Sequence, residues 1–243
     1  MERQSSAPSG SPDMRSDRGA HREKRGVVAP AQALAAVSTL DALVASLRTR
    51  VLKGEFAPRA VLAEMDVAEA YGVARPTARA ALQRLVSDQV LRREPNRSAH
   101  VPELTHDDVR DLYSVRAPLE LMVVATIVDR GSPPTKAEQT VRRLERLTGE
   151  VAWTDVVDID CAFHMALVSS IKNPRLTRIY ESLQGEIRLA LLQLGPAYQS
   201  APKTAAQHRA LLTAIARGTK PQALEAMTRH LDSAVSDLTR GES

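Results

Sequence analysis

The stretch "EMDVAEAYGVARPTARAALQRLVSD", Glu64 to Asp88, decides the fold. Its first half predicts a short helix, Glu64 to Ala70, broken by Tyr71-Gly72. A second helix restarts near Arg75. Pro76 is tolerated there because the first N–H groups of a helix have no intrahelical partner. Two short helices joined across a glycine turn mark a helix-turn-helix. Upstream, Leu40, Leu43, Val44, Leu47 and Val51 line one face of a helix running to about Lys53. Gly54 ends it, and "GEFAPRAVL" reads as a turn. Downstream, "VLRREPNRSAHVPEL" reads as two short strands around a Pro95-Asn96 turn. Three helices and a two-stranded ribbon within residues 37–104 make a winged helix-turn-helix.

The remainder, residues 105–243, shows no strand pattern. Helices are expected near 106–130, 134–149, 154–171, 174–194, 203–217 and 220–239. Asn173 before Pro174 is a helix start, a capping side chain followed by proline at the first position. The expected fold is mainly α, with an N-terminal winged helix-turn-helix and a C-terminal all-α antiparallel bundle of about six helices. Residues 1–36 carry Ser, Pro, Gly and charge without apolar period, and read as a disordered tail.

Scarce aromatics and abundant Ala, Leu and Arg favour helices. No apolar run approaches the roughly 20 residues that span a bilayer. The polar N-terminus lacks the apolar centre of a signal peptide. The expected location is therefore the cytoplasm, with no membrane partner. The single Cys161 excludes an internal disulfide and a Cys-based zinc finger. The net charge is +4, and residues 105–243 are balanced, with 17 groups of each sign, so the excess is N-terminal. Within it Arg75, Arg79, Arg84, Arg92, Arg93 and Arg97 face only Asp88 and Glu94 in the local sequence. That is either a solvated helix face or the footprint of a polyanion.

A helix-turn-helix reads the major groove with residues near the start of its second helix. Here these are Arg75, Thr77 and Arg79. Arginine binds guanine O6 and N7 bidentately; threonine meets phosphate or a thymine methyl. Arg97, at the ribbon tip, is placed for phosphate or the minor groove. Ala78, Ala81, Leu82 and Leu85 should point inward.

A second puzzle lies in "DIDCAFHMAL", Asp158 to Leu167. Asp160 and His164 are four apart and share a helix face with Leu167 and Ile171. A buried charge without a partner is costly. Coordination of a metal ion is one resolution. Pairing of Asp160 with an arginine such as Arg116 or Arg188 is another, and a lone inward histidine is usually hydrogen-bonded to a neighbour. His208 shares a face with Leu211, Leu212 and Ile215. His230 flanks the stripe of Leu224, Met227, Leu231 and Leu238.

"GEFAPRAVLAEMDVAEAYGVARPTARAALQRLVSDQVLRREPNRSAHV" resembles the winged-helix domain of GntR-type bacterial transcription regulators. "LTHDDVRDLYSVRAPLE" and "DIDCAFHMALVSSIKNPRL" resemble the linker-side helix and ligand-domain signature of the FadR-like (FCD) subgroup. The likeness covers roughly residues 38–240. It implies a dimeric repressor or activator whose bundle binds a small effector, often a carboxylic acid. It also implies a metal site of Asp160, His164, His208 and His230. One carboxylate and three imidazoles suit a divalent ion such as Zn²⁺ or Ni²⁺. Arg116 is the candidate second anchor for an effector carboxylate, with Arg188 a further candidate. A salt bridge of Arg116 to Glu120 or Asp160 is the alternative. The chain departs from the family pattern at several points. Ala74 replaces the capping serine of the second helix, a loss of about 1 kcal/mol. Met65 stands where a phosphate-contacting arginine is usual, and Gln89 and Ser98 replace glycines.

The sequence thus reads as a ligand-responsive, sequence-specific DNA-binding regulator, a repressor and not an enzyme. Its expected partners are a pseudo-palindromic operator, a small organic acid and a second copy of itself. Two rival readings are a DNA-binding protein with a purely structural metal and a metal-dependent hydrolase. The second lacks an obvious unligated general base.

Overall fold

The computed structural model describes residues 38–131, 134–195 and 200–240. The expected disordered tail of residues 1–36 lies outside them. The remaining account concerns the compact unit that begins at Val37.

Helix α1 (Thr39–Leu52) is capped by the Ser38 hydroxyl, which accepts from the Asp41 amide, and buries Leu43, Leu47 and Val51. Helices α2 (Glu64–Tyr71) and α3 (Arg75–Ser87) follow. The turn between them needs Gly72, whose φ of 63° is left-handed and which caps α2 by donating to Ala68 and Glu69 carbonyls. Ala78, Ala81, Leu82 and Leu85 are fully buried, as the inward face of α3 requires. No side chain caps α3 at Ala74. Gln89, where the resemblance would have glycine, keeps the left-handed turn at φ 56°.

The ribbon differs from expectation. Strand β1 (Val61–Leu62) pairs antiparallel with β2 (Ala99–His100), so one strand comes from the stretch read as a turn. The expected hairpin across Pro95-Asn96 survives as a single bridge, Arg92 with His100. Pro95 has no N–H to give, and Asn96 is left-handed at φ 61°, so pairing stops just beyond the bridge.

The bundle contains α4 (His106–Arg130), α5 (Thr135–Glu145), α6 (Trp153–Ser170), α7 (Pro174–Leu194), α8 (Ala201–Arg217) and α9 (Lys220–Leu238). Thr105 and Asp108 form a capping box at the start of α4. The Asn173 side chain accepts from the Arg175 and Leu176 amides ahead of Pro174. Helix α4 packs on α9, α9 on α8, α8 on α5, α5 on α6, α6 on α7, and α7 back on α4.

Helix α7 carries the joint with the head. A Cβ at Gly185 would stand 3.1 Å from the Val90 side chain and 3.3 Å from the Asp88 carbonyl, so glycine permits this close approach. The Gln193 amide clamps the linker, donating to the Pro102 carbonyl at 2.9 Å and accepting from the Leu104 amide at 3.0 Å. Arg188 Nε donates to the Leu52 carbonyl at the end of α1, at 2.8 Å.

Candidate functional site: a buried three-histidine cluster and an exposed arginine face

The outer face of α3 presents Arg75 and Arg79, both more than half exposed, with Pro76, Ala80 and Gln83 along a shallow groove. Thr77 is half-buried beside them. Arg79 Nε donates to both oxygens of Glu64, at 3.0 and 3.1 Å, and Arg75 Nε reaches the same carboxylate at 3.4 Å. Glu64, at the start of α2, was not singled out in the sequence; it orients both arginines from the neighbouring helix. These hydrogen bonds hold its carboxyl below the usual range.

Arg97 is exposed at the wing tip, beside Glu94 at 3.4 Å. The sequence-local patch is smaller than six arginines. Arg92 turns to Asp108 at 2.9 Å and Glu186 at 3.6 Å, both in the bundle. Arg84 shares Asp88 with Arg48 of α1. Asp108 and Glu186 lie outside the local stretch, so counting within it missed them, whereas Asp88 was counted there.

In the bundle, α6 carries Asp160 and His164, α8 carries His208 and α9 carries His230. His164 and His208 are each 1% exposed. The three histidines offer ring nitrogens that all lie within 4.8 Å of one another. His230 Nε2 is 3.2 Å from His164 Nε2. Asp160 joins from the side, its Oδ1 3.1 Å from His208 Nε2.

The protons are constrained by the outer partners. His208 Nδ1 lies 2.7 Å from the Thr204 carbonyl, which can only accept, so Nδ1 carries the hydrogen. His164 Nδ1 lies 2.5 Å from Glu120 Oε2 and donates to it. In neutral imidazoles both Nε2 atoms then hold lone pairs that point into the cluster. His208 Nε2 and His230 Nδ1 are buried without any hydrogen-bond partner. Such orphaned atoms are rare in a native interior.

These features fit a divalent cation. Around an ion with metal–nitrogen bonds of about 2.0–2.1 Å, neighbouring ligand atoms stand roughly 3.0–3.5 Å apart. The 3.2 Å and 3.1 Å separations are of that size. Burial depresses the His164 imidazole below its ordinary value, with Arg116 reinforcing it against the opposing Glu120. His230 is depressed further, by burial and by the neighbouring His208 and His164. Burial would raise the Asp160 carboxyl, but His208, His164 and Arg116 outweigh it and hold the carboxyl low. Neutral imidazoles beside a carboxylate are the protonation states a cation needs.

A small cavity adjoins the cluster, with about 30 Å³ of free space. Asp160, the three histidines, Tyr113, Arg116, Trp153 and Gln207 are among its lining residues. Arg116 is there, 2% exposed, but its Nε is committed to Glu120 at 2.6 Å and its Nη1 to the Tyr113 hydroxyl at 2.9 Å. The salt-bridge alternative is therefore the observed arrangement. Arg188 takes a different place. It is not among the cavity residues, because its guanidinium bonds Asp158 and the Leu52 carbonyl at the head joint.

Glu120, Tyr180 and Tyr113 complete the network around Arg116. Tyr180 donates to Glu120 Oε1 at 2.6 Å from 60 residues away. The sequence signal for Glu120 was its four-residue spacing from Arg116, which by itself describes any surface pair.

Among the described residues no helix is long and apolar enough to cross a membrane. Residues 39–101 match the model for bacterial regulatory proteins of the gntR family, and residues 111–233 match the FCD domain. The gluconate operon transcriptional repressor of Bacillus subtilis is 24% identical over 216 residues, covering 86% of this chain and 87% of that protein. Two solved structures share the fold. Escherichia coli McbR/YncC has a TM-score of 0.70 at 22% identity, covering 86% of this chain and all of that one. A GntR transcriptional regulator from Rhodococcus sp. RHA1 has a TM-score of 0.69 at 24% identity, covering 85% and 100%. With a winged head bearing an arginine face and a helical bundle that matches the FCD domain, the chain belongs to the GntR family: it is a DNA-binding transcriptional regulator and not an enzyme.

Proposed function

We propose that this regulator senses a small organic acid at a divalent cation in its bundle and transmits the result to its DNA-reading head. The proposed division is a head of residues 37–104 and a sensor of residues 105–243, preceded by a tail of residues 1–36. The observation that carries the reading is the convergence of three imidazoles, two of which, His164 and His208, make outer hydrogen bonds that leave their Nε2 lone pairs facing the cluster. His164, His208 and His230, with Asp160 alongside, would hold a Zn²⁺ or Ni²⁺ ion. A bound divalent ion supplies a Lewis acid to which a carboxylate attaches. Arg116 gives the adjoining cavity positive charge while staying paired with Glu120. The name of the Bacillus subtilis relative supports repression as the mode.

A route from sensor to head follows α6 and α7. Asp158 sits two residues before Asp160 on α6 and binds Arg188 of α7, whose other hydrogen bond reaches the Leu52 carbonyl of the head. A shift of α6 against the cavity would alter this strap, biasing head orientation between two states.

Recognition of a pseudo-palindromic operator calls for two heads. Val115 and Met122 on α4 and Ile179 on α7 are large, apolar and about half exposed on two helices packed together. A second copy covering this face would make the homodimer. In the head, Arg75 and Arg79 would read base edges, with Thr77 and Arg97 on the backbone.

The deciding experiment uses full-length protein and labelled DNA from its own gene neighbourhood. A specific mobility shift at moderate salt is expected, released by one member of an organic-acid panel only when Zn²⁺ or Ni²⁺ is present. Release that ignores the metal would reduce the ion to a structural staple, and no specific shift at all would remove the operator from the account.

A further inference from the structure

Glu120 is 1% exposed and makes three short contacts. Its Oε1 accepts from Arg116 Nε at 2.6 Å and from the Tyr180 hydroxyl at 2.6 Å. Its Oε2 is 2.5 Å from His164 Nδ1. Each donor arrives from a different direction. Arg116 comes from one turn earlier in α4, Tyr180 from α7 and His164 from α6. Arg116 is itself held by the Tyr113 hydroxyl at 2.9 Å. An ionised carboxylate only accepts, so its third partner must be a donor.

We propose that Glu120 is a positioning residue that fixes the tautomer of His164, placing the hydrogen on Nδ1 and the lone pair on Nε2, where the three histidines meet. Arg116 and Tyr180 act one step further out. They occupy Oε1 and leave Oε2 to face the imidazole. A buried acceptor behind a ligating histidine sets ring orientation and raises its basicity as a ligand. The tautomer claim stands on the hydrogen bonds alone. Its consequence for ion affinity rests on the cation reading proposed above.

The isosteric change Glu120→Gln gives a sharp test. Two donors already converge on Oε1, so the amide oxygen must stay there. The NH₂ group then faces His164 Nδ1, which can pair with it only as an acceptor. The hydrogen moves to Nε2 and blocks the lone pair in the cluster.

The measurement is a long-range ¹H–¹⁵N correlation on full-length, metal-stripped protein labelled at histidine, with His164 assigned through a His164→Gln variant. The expected result is Nδ1–H in the wild type and Nε2–H in Glu120→Gln. Glu120→Asp, which keeps an acceptor, should retain Nδ1–H. Wild-type His164 protonated on Nε2, or an unchanged tautomer in a folded Glu120→Gln protein, would overturn the proposal. If Glu120→Gln does not fold, the wild-type spectrum still decides. Zn²⁺ competition against a chromophoric chelator supplies the second readout. Affinity should fall about 10–100-fold in Glu120→Gln. A wild type that binds no Zn²⁺ would defeat the cation reading while the tautomer result stood by itself.

Discussion

His208 Nε2 lies 3.1 Å from Asp160 Oδ1, yet no hydrogen bond joins them. The separation suits one, but the His208 hydrogen sits on the opposite nitrogen, donated to the Thr204 carbonyl. When His208 is neutral, its Nε2 lone pair therefore faces a carboxylate inside the protein. Two acceptors in contact repel unless a proton or a cation lies between them. At the His164–His230 contact, where one ring can donate to the other, His230 Nδ1 is left without a partner whichever ring donates.

Relief of that repulsion should be visible as stability. Adding Zn²⁺ to metal-stripped protein at about 100 times its Kd should stabilise the fold by about 2.7 kcal/mol. For a chain of this size the melting temperature should rise by roughly 5–10 °C. His208→Ala should abolish the metal-dependent part of the rise in calorimetry. A wild-type melting temperature indifferent to Zn²⁺, Ni²⁺ and chelator would sink the cation site.

Arg116 offers a different check. If its first duty is to compensate buried Glu120, removing it strands a carboxylate in the core. Arg116→Ala should cost about 3–5 kcal/mol in ligand-free protein, measured by urea unfolding. An anchor used only by the effector would leave ligand-free stability unchanged.

On the head, Arg79 and Arg97 should separate base reading from backbone attraction. Arg79→Ala should weaken operator binding by about 1–3 kcal/mol while leaving affinity for unrelated DNA nearly constant. Arg97→Ala should instead weaken both and lower the salt dependence of binding by about one ion. Titrations on operator and random duplexes at several salt concentrations distinguish the two. Equal losses on both DNAs would remove Arg79 from base reading.

The Arg188 strap predicts a loss of communication with little loss of binding. Arg188→Gln should keep operator affinity and Zn²⁺ affinity close to wild type, yet reduce the effector's power to release DNA. Mobility shifts across an effector titration would show it. Full release by the same effector concentration would take Arg188 out of the signal route.

The apolar face on α4 and α7 predicts an association surface. Met122→Glu should produce a monomer in sedimentation equilibrium, with weakened operator binding and an unaltered far-UV circular dichroism spectrum. A dimer that persists through Met122→Glu and Ile179→Glu would place the interface elsewhere.

Local patterns made much of this molecule legible. The Gly72 turn, the Asn173-Pro174 start and the inward residues of α3 each depend on neighbours within a turn or two, where helical period and capping act. The inward pointing of His164 and His208 was readable for the same reason, since apolar residues at helical spacing mark the face. The ribbon was misread because Val61-Leu62 is too short a run to show a period of two, and its partner lies across the intervening helices. The position of Arg188 was not readable because its acceptor, the Leu52 carbonyl, is 136 residues away and carries no side-chain signature.

By itself, the sequence determined the helices, the head-and-bundle order and the family likeness, because repeating apolar positions and caps act at short range. Only the tertiary structure decided which charges meet. Glu64 took Arg75 and Arg79, Glu120 took Arg116, Tyr180 and His164, and Asp160 came to rest against His208. Burial makes such pairings compulsory by penalising any polar group left alone, but the identity of each partner depends on where packed helices bring distant residues together.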